Sequence, residues 1–327
     1  MPRNVFLVVN PAAGMGRAAK LLPAVRRAFA GVGAAKPLVT RAPGDEARCV
    51  WEALDAGADT IAVLGGDGTL SKATGALLAA RAGDRCRVLM LPGGSGNDFI
   101  STLAMRSRAW VEMAKLAAEG TARPIDCARL DGRHVLNVGG FGFDVAALRT
   151  LHRLGAIGRL AGNTLRYKLA AAKHIFGFRP LRADLDDGLG ERELLLVAIA
   201  NGRRYGGGIL VAPNASVDDG LLDVVSIDEA PATERIALFQ TAQTGKHLSR
   251  GGVAVRRASA IRFVFDAPPM FQIDGEVYQA RRSEVVAECV PGALQVITSA
   301  AVPAASPAPG YRERASSGAP SRSTGRP

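Results

Sequence analysis

Hydrophobic and polar positions in the first third of the chain alternate between two periods. Short apolar runs such as "VFLVVN" and "TIAVLGG" have the length of buried strands, and the segments between them carry apolar residues at helical spacing, as at Leu21, Leu22 and Val25. Strands that alternate with helices predict a doubly wound α/β domain with a parallel sheet. Ligands of such a domain bind at the carboxyl ends of the strands.

The pattern changes after about residue 126. Short strands with turn signals follow, among them "CARLDGRHVLNV", which predicts a hairpin with Asp131 and Gly132 in the turn. Helical patterns recur near 164–178 and 232–246. We therefore expect an α/β domain over residues 1–126, a β-rich, sandwich-like domain over 127–301, and a disordered basic tail over 302–327, which is rich in Pro, Ser and Arg.

Composition and charge indicate in which compartment the protein works and what kind of partner it binds. No apolar run approaches the roughly 18 residues that span a bilayer, and the four cysteines form no C-x-x-C pair, so we expect a cytoplasmic protein without a transmembrane segment. The net charge of +11 favours anionic partners: nucleotides, nucleic acid or acidic lipid. Aromatic residues are only 5% and form no basic–aromatic repeat, which argues against nucleic acid.

Three glycine-bearing stretches, "NPAAGMG", "GGDGT" and "PGGSGND", each follow a predicted strand and should gather at one edge of the sheet. Glycine lets backbone N–H groups approach an anion such as a phosphate. Asp67, between these glycines, would repel that anion unless a metal ion or a proton transfer accompanies it. The chain has no Walker P-loop. Lys72 is the nearest candidate for a phosphate-binding lysine, although we favour a solvated position on a helix face.

Two sets of motifs resemble the diacylglycerol-kinase-type lipid kinases, in the same order and over about residues 4–300. They are "NPAAG", "TRAPGDEA", "GGDGTL" and "PGGSGNDF", then "LNVGGFGFDV", "NGRRYGGG", "NASVDDGLLDV" and "QIDGE". GGDG alone also occurs in NAD kinases and in the phosphofructokinase-like group, whose nucleotide-binding fold the resemblance implies for the first domain. It further implies transfer of a phosphoryl group from Mg²⁺–ATP to a lipid hydroxyl, with diacylglycerol favoured.

The resemblance also implies the ATP contacts. They are Asn10, Pro11, Ala12, Ala13, Gly14, Thr40, Gly65, Gly66, Asp67, Gly68, Thr69, Leu70, Ser71 and Ser95. The family more often has Thr at the position of Ser95, and the hydroxyl is retained. It often has Asn-Glu where Ser71 and Lys72 stand, so an ammonium replaces a carboxylate near the nucleotide.

By the same resemblance, Asp274 accepts the proton of the lipid hydroxyl and Glu276 holds the catalytic Mg²⁺ or a water. The competing assignment makes Asp67 the base and leaves Asp274 to organise metal; from the residues alone, Asp274 and Gly275 could equally form a plain hairpin turn. A second Mg²⁺ site is implied at the Asp219 side chain and the main-chain oxygens of Ser216 and Leu221, where an ordinary Asp-Gly turn is the alternative.

Residues 145–183 contain eight Lys or Arg, no Asp or Glu, and interleaved apolar residues. Such a surface binds anionic lipid, so we expect peripheral membrane docking and lipid entry here; the alternative is a helix packed on the domain with solvated arginines. Other acceptors stay open, namely a sphingoid base, phosphatidylglycerol or a soluble molecule such as NAD, as does a nucleotide sensor without turnover. A homodimer is compatible with the sequence, which carries no signal of oligomeric state.

Overall fold

The computed structural model describes residues 3–34, 37–105, 108–153 and 174–298. The elements of the first part are β1 (Val5–Val9), α1 (Ala13–Ala30), β2 (Leu38–Val39), α2 (Glu46–Asp55), β3 (Thr60–Gly65), α3 (Asp67–Ala79), β4 (Arg87–Pro92), α4 (Asp98–Thr102) and α5 (Trp110–Glu119). Strands β4, β3, β1 and β2 lie side by side in this order and are parallel. The predicted doubly wound α/β domain is confirmed.

The second part is built mostly of antiparallel strands. Its elements are β5 (Ala122–Leu130), β6 (Arg133–Val135), β7 (Val138–Gly142), α6 (Phe143–Arg153), β8 (Leu181–Asp184), β9 (Arg192–Ala200), β10 (Leu222–Asp228), α7 (Ala232–Ala242), a short 3-10 helix (Lys246–Ser249), β11 (Val253–Ala258), β12 (Ala260–Phe265), β13 (Met270–Ile273), β14 (Glu276–Gln279) and β15 (Glu284–Ile297). The predicted hairpin joins β5 to β6, and its turn residues Asp131 and Gly132 both have positive φ, as a two-residue turn of this kind requires.

The long strand β15 connects the two parts of the molecule. Its first half pairs with β12, its last residues pair in parallel with β4, and β5 runs beside it over most of its length. Leu294, Val296 and Ile297 are consequently buried in the same core as β1 and β3. The predicted boundary after residue 126 falls within β5, so a division of the chain at that point stays a prediction.

The burial of each strand depends on whether other elements pack on one or on both of its faces. Strand β1 is apolar throughout and fully buried, as expected for a parallel strand with helices on both faces. Strand β12 alternates buried and exposed residues, as expected for an antiparallel strand with one wet face. A second core gathers Phe141, Phe263, Phe265 and Phe271, with the rings of Phe141 and Phe265 4.8 Å apart. This cluster anchors β13, which carries the turn containing Asp274.

Parts of two predictions lie outside the described residues: most of the helix near 164–178, and the whole of the tail over 302–327. The helical pattern at 232–246 corresponds to α7 and the 3-10 helix after it. Over the ranges that the structure describes, no helix is both long enough and apolar enough to cross a membrane.

Candidate active site

The three glycine-bearing stretches meet at the carboxyl ends of β1, β3 and β4, as predicted. The Gly93 N–H donates to the Gly65 carbonyl at 2.9 Å, and a Cβ on Gly94 would lie 2.4 Å from the Gly66 Cα. A Cβ on Gly14, where φ is +60°, would lie 2.6 Å from the Gly93 carbonyl oxygen. Any side chain at these positions would force the loops apart, so the glycines are required for the loops to pack backbone against backbone.

A cleft of about 640 Å³ opens over these loops. Eleven residues predicted to contact nucleotide line it: Asn10, Pro11, Ala12, Ala13, Gly14, Thr40, Gly66, Asp67, Gly68, Thr69 and Ser95. Three predicted contacts do not line it, because Gly65 ends β3 beneath the loop, Leu70 is fully buried in the core, and Ser71 faces Asp274. Further lining residues were not among the predicted nucleotide contacts, namely Arg41, Glu46, Gly94, Gly96 and Lys72, of which Lys72 had been named only as a candidate phosphate-binding lysine. All five lie in or beside motifs already singled out.

Side-chain hydrogen bonds connect the first loop to its neighbours. Asn10 Nδ2 donates to Thr69 Oγ1 at 2.9 Å and to Glu46 Oε1 at 3.3 Å, and Asn10 Oδ1 accepts from the Ala12 N–H at 3.0 Å. Glu46 is only 2% exposed, and its Oε2 has no hydrogen-bond partner among the described residues. The cleft therefore holds a buried acceptor atom within its wall.

Asp67 lies at the start of α3, between the glycine loops. Its Oδ1 accepts from the Phe99 N–H at 3.1 Å, which ties it to α4. Burial raises the pKa of Asp67 to about 6, and the negative charges of Asp98 and Asp274 act in the same direction. A carboxylate with like charges around it is well suited to receive a cation.

Asp274 occupies the turn between β13 and β14, with φ of 49°. Its carboxylate accepts four hydrogen bonds. Its Oδ2 accepts from Ser71 Oγ at 2.7 Å and from the Leu136 N–H at 2.9 Å. Its Oδ1 accepts from the N–H groups of Asn137 at 2.9 Å and Val138 at 3.1 Å. Burial raises the pKa of Asp274, against the opposing effect of these bonds. Asp274 thus lies in a hairpin turn, and its carboxylate faces the α/β domain through Ser71.

A second contact joins α3 to the β13–β14 hairpin, beside the hydrogen bond between Ser71 and Asp274. Lys72 Nζ is 2.9 Å from Glu276 Oε1, and the two side chains are 37% and 47% exposed. Lys72 lines the 640 Å³ cleft. Lys72 is partly exposed on a helix face, as we favoured, but the hairpin also brings a carboxylate to it, which the sequence did not indicate.

A smaller cleft of about 260 Å³ adjoins the first. Asp67 and Gly96 line both clefts, and Asp274 lines the smaller one. The other lining residues include the glycines 206 and 207, Asn137, Gln272 and Tyr205, together with the apolar Leu148 and Leu151 of α6. Both candidate proton acceptors thus border one space, which is apolar on the α6 side.

A buried pair supports the hairpin turn from behind. Gln272 Nε2 donates to Asp144 Oδ2 at 3.1 Å, and the Gly275 N–H donates to Gln272 Oε1 at 3.1 Å. Asp144 is 1% exposed, and burial raises its pKa to about 6. Neither residue was singled out from the sequence; a charged residue within the apolar stretch "GFGFDV" was the available signal.

The chain is similar to known proteins over nearly its whole described length. Models of the "diacylglycerol kinase catalytic domain" and the "YegS C-terminal NAD kinase beta sandwich-like domain" match residues 4–130 and 138–298. A protein named "probable lipid kinase YegS-like" from Xanthomonas axonopodis pv. citri (strain 306) is 33% identical over 270 residues, which are 79% of this chain and 84% of the relative. The chain belongs to the diacylglycerol-kinase-type lipid kinase family.

Two further relatives support the family. A protein named "diacylglycerol kinase" from Mycobacterium tuberculosis (strain ATCC 25618 / H37Rv) is 29% identical over 304 residues, which cover 90% of this chain and 94% of the relative. The crystal structure of a diacylglycerol kinase from Bacillus anthracis str. Sterne superposes with a TM-score of 0.68 at 25% identity, covering 92% of this chain and 98% of that one. The predicted fold class and the prediction of a kinase are confirmed.

The segment that corresponds to the predicted Mg²⁺ site of this lipid kinase is a tight loop. Asp219 Oδ1 accepts from the Leu221 N–H at 3.0 Å, and Asp219 Oδ2 forms an ion pair with Arg257. Beneath the loop, Asp126 accepts from the N–H groups of Gly220 and Gly292 at 2.7 Å and 2.9 Å. A carboxylate with main-chain oxygens of Ser216 and Leu221 fits a hard cation, which here would compete with the Arg257 guanidinium.

The predicted Mg²⁺ site would use mainly main-chain oxygens and not a cluster of side-chain ligands. In the part of the chain that the structure describes, no group of three or more His, Cys, Asp or Glu side chains could hold a metal ion. The predicted site has one carboxylate and two carbonyls, so it stays a prediction.

Only the ends of the predicted lipid-docking segment of this kinase are described. Arg149, Arg153, Arg179 and Arg182 are exposed, and the other four basic residues of the segment lie outside the described residues. Phe176 is 78% exposed. A groove of about 300 Å³ combines Arg149 and Arg182 with apolar side chains of Phe178, Leu181 and Met270. The described ends thus combine positive charge with exposed apolar area.

Proposed function

We propose that this kinase transfers the γ-phosphoryl group of ATP to a lipid hydroxyl, that of diacylglycerol first, giving phosphatidic acid. The observation that carries the proposal is the junction of the two clefts at Asp67 and Gly96, with Asp274 on the far side. A nucleotide in the glycine-lined cleft would present its terminal phosphate toward the smaller cleft, where an acceptor hydroxyl would meet a carboxylate.

The donor site is proposed from the chemistry of the larger cleft. Three glycine loops and the N-terminus of α3 present backbone N–H groups to a phosphate chain. Asn10, Thr40, Thr69 and Ser95 add polar side chains, and the unpartnered Glu46 Oε2 would accept a hydrogen bond from a ribose or base donor. This donor set suits a nucleotide and supports ATP as the phosphoryl donor.

The acceptor side is proposed from Asp274. The hydroxyl proton passes to the carboxylate as the hydroxyl oxygen bonds to the γ-phosphorus of ATP, the bond from that phosphorus to ADP breaks, and ADP leaves. The N–H groups of Asn137 and Val138 hold the carboxylate in place. Its four hydrogen bonds fill the four lone-pair positions of a carboxylate. Ser71 Oγ is the one donor on a rotatable side chain, so the acceptor hydroxyl takes its place.

Magnesium is proposed as the companion of ATP. Asp67, whose pKa is raised by burial and by the nearby charges of Asp98 and Asp274, and Glu276 would hold it near the transfer point. Asp219, Ser216 and Leu221 would hold a second ion away from the phosphates. When bound, Mg²⁺ supplies positive charge that offsets the charge of the phosphoryl group; positioning by the protein supplies the rest.

The proposed acceptor reaches the enzyme from a membrane. The arginines at the described ends of residues 145–183 and the exposed Phe176 fit peripheral contact with an anionic lipid surface. Leu148 and Leu151 lie on the same helix as Arg149 and provide apolar side chains to the wall of the smaller cleft. A lipid could thus pass from the surface to Asp274 along α6.

The acceptor is tested by phosphate transfer. The purified enzyme with labelled ATP and Mg²⁺ is given a total lipid extract, and then diacylglycerol, a sphingoid base, phosphatidylglycerol and NAD separately. We expect label in phosphatidic acid. Label in another lipid would show that this lipid, and not diacylglycerol, is the acceptor. Label in NADP would reject a lipid acceptor. ATP binding without transfer to any of these molecules would favour a nucleotide sensor.

A further inference from the structure

Lys72 stands where the nucleotide cleft meets the hairpin. It lies on α3, which begins at Asp67, and its side chain lines the cleft while its ammonium contacts Glu276 at 2.9 Å. Lys72 thus connects the wall of the cleft to a carboxylate of the hairpin.

The charges around Lys72 indicate what it can bind. Among the residues that line the larger cleft, the carboxylates are Glu46 and Asp67, and the cations are Arg41 and Lys72. Of these two cations, Lys72 follows the glycine loop on the same helix, one turn beyond Gly68. A polyphosphate lying over the loop would therefore have the Lys72 ammonium as its nearest helix-borne cation.

The ion pair with Glu276 is exchangeable. Both side chains are more than a third exposed, and ion pairs of this kind contribute only about 0–1 kcal/mol. An ammonium–phosphate contact is a charge-assisted hydrogen bond and is stronger than a contact between neutral groups. Losing an exposed pair of this kind costs little, so a phosphate group, which carries more negative charge than a carboxylate, can displace Glu276 when nucleotide is bound.

We propose that Lys72 is the phosphate-binding lysine of this enzyme. On nucleotide binding its ammonium leaves Glu276 for the terminal phosphates, and Glu276 becomes an unpaired carboxylate at the transfer point. The proposal rests on the proposed function, since it requires a nucleotide in this cleft. It assigns to a helix residue the role that the lysine of a P-loop has elsewhere.

The test compares the dissociation constants of ATP, ADP and adenosine by titration calorimetry for the wild type, Lys72→Met, Lys72→Arg, Glu276→Gln and the control Lys115→Met. Lys115 is exposed on α5 and lines neither cleft. We expect Lys72→Met to weaken ATP binding by about tenfold or more, ADP binding less and adenosine binding not at all. Lys72→Arg should retain most of the affinity, and Lys115→Met all of it.

Glu276→Gln separates phosphate binding from a merely structural contact. Both Lys72→Met and Glu276→Gln break the ion pair, but only Glu276→Gln frees the ammonium. In titrations without Mg²⁺, where the proposed role of Glu276 in holding the ion does not enter, Glu276→Gln should tighten ATP binding by about twofold to fivefold. Equal weakening by both variants, or equal loss of ATP and adenosine affinity in Lys72→Met, would overturn the proposal. So would unchanged ATP affinity in Lys72→Met. Failure of the wild type to bind ATP would overturn the proposed function as well.

Discussion

Ser71 Oγ donates a hydrogen bond to Asp274 Oδ2 at 2.7 Å, across 203 residues of sequence. The bond joins the helix that follows the glycine loop to the turn that carries the proposed proton acceptor. It lies beside the Lys72–Glu276 ion pair, so two successive residues of α3 contact the same hairpin. The proposed transfer point is therefore formed by residues from both domains.

Replacing Ser71 tests whether its hydroxyl yields to the acceptor. Because the Ser71 hydrogen bond lowers the pKa of Asp274, Ser71→Ala should raise that pKa and move the acidic limb of the kcat/KM profile to higher pH. We expect kcat at the plateau to stay within about tenfold of the wild type, since the three backbone donors remain. A loss as large as that of an Asp274 variant would contradict the displacement.

Asp144 provides a pH-dependent stability that is separate from the chemistry. Its pKa is raised to about 6 from 3.8 in the unfolded chain, so between these values the folded state binds a proton that the unfolded state does not. This contribution is fully present below about pH 4 and is lost as pH rises through 6. Relative to Asp144→Asn, the wild type should lose about 2 kcal/mol of stability between about pH 4.5 and 7.5.

The measurement is urea unfolding of both proteins across that range. The Asn side chain does not titrate, so the difference between the two proteins isolates Asp144 from other ionisable groups. A difference that stays constant with pH would show that the carboxyl titrates normally in the folded protein.

Arg257 should compete with Mg²⁺ for Asp219. The ion pair between Arg257 and Asp219 already neutralises the carboxylate, and both side chains are about one-quarter exposed. Without nucleotide, Mg²⁺ should raise the melting temperature of the wild type, and Asp219→Asn should abolish that rise. Arg257→Gln should lower the half-saturating Mg²⁺ concentration by about threefold to fivefold, the value of one partly exposed ion pair. A Mg²⁺ response that is unchanged in Asp219→Asn would place the ion elsewhere.

The arginine-rich surface is tested with vesicles. Arg149, Arg153, Arg179 and Arg182 are changed together to Gln, and the matched control changes the exposed Arg26, Arg27, Arg81 and Arg85 of the α/β domain. Each basic residue near an anionic membrane adds about 1 kcal/mol, so the first variant should bind anionic vesicles at least about tenfold more weakly, with ATP affinity unchanged. Equal effects of the two variants would show that net charge alone is responsible.

Much of this arrangement could be predicted from local patterns. Hydrophobic periodicity predicts the parallel strands, and the position of each glycine stretch after a strand predicts their convergence, since carboxyl ends of parallel strands share an edge. The turn at Asp274 and Gly275 follows from residue type, although the role of Asp274 came from the family resemblance and stays a prediction.

Contacts between distant residues could not be predicted in this way. The Lys72–Glu276 pair depends on how the hairpin sits over α3, which the shared strands β5 and β15 determine. The Asp144–Gln272 pair likewise joins residues 128 positions apart. No local sequence pattern predicts which residues far apart in the chain will come into contact. The contact of Lys72 with Glu276 was therefore not foreseen, and Asp144 was overlooked.

The role proposed for Asp274 is to accept the proton of the lipid hydroxyl. It is tested most directly by single-turnover transfer from ATP to diacylglycerol in Asp274→Asn, with ATP affinity measured in parallel. We predict a rate lower by about 10²–10⁴-fold with ATP affinity within about twofold of the wild type. A rate near that of the wild type, or a comparable loss found only in Asp67→Asn, would contradict the assignment.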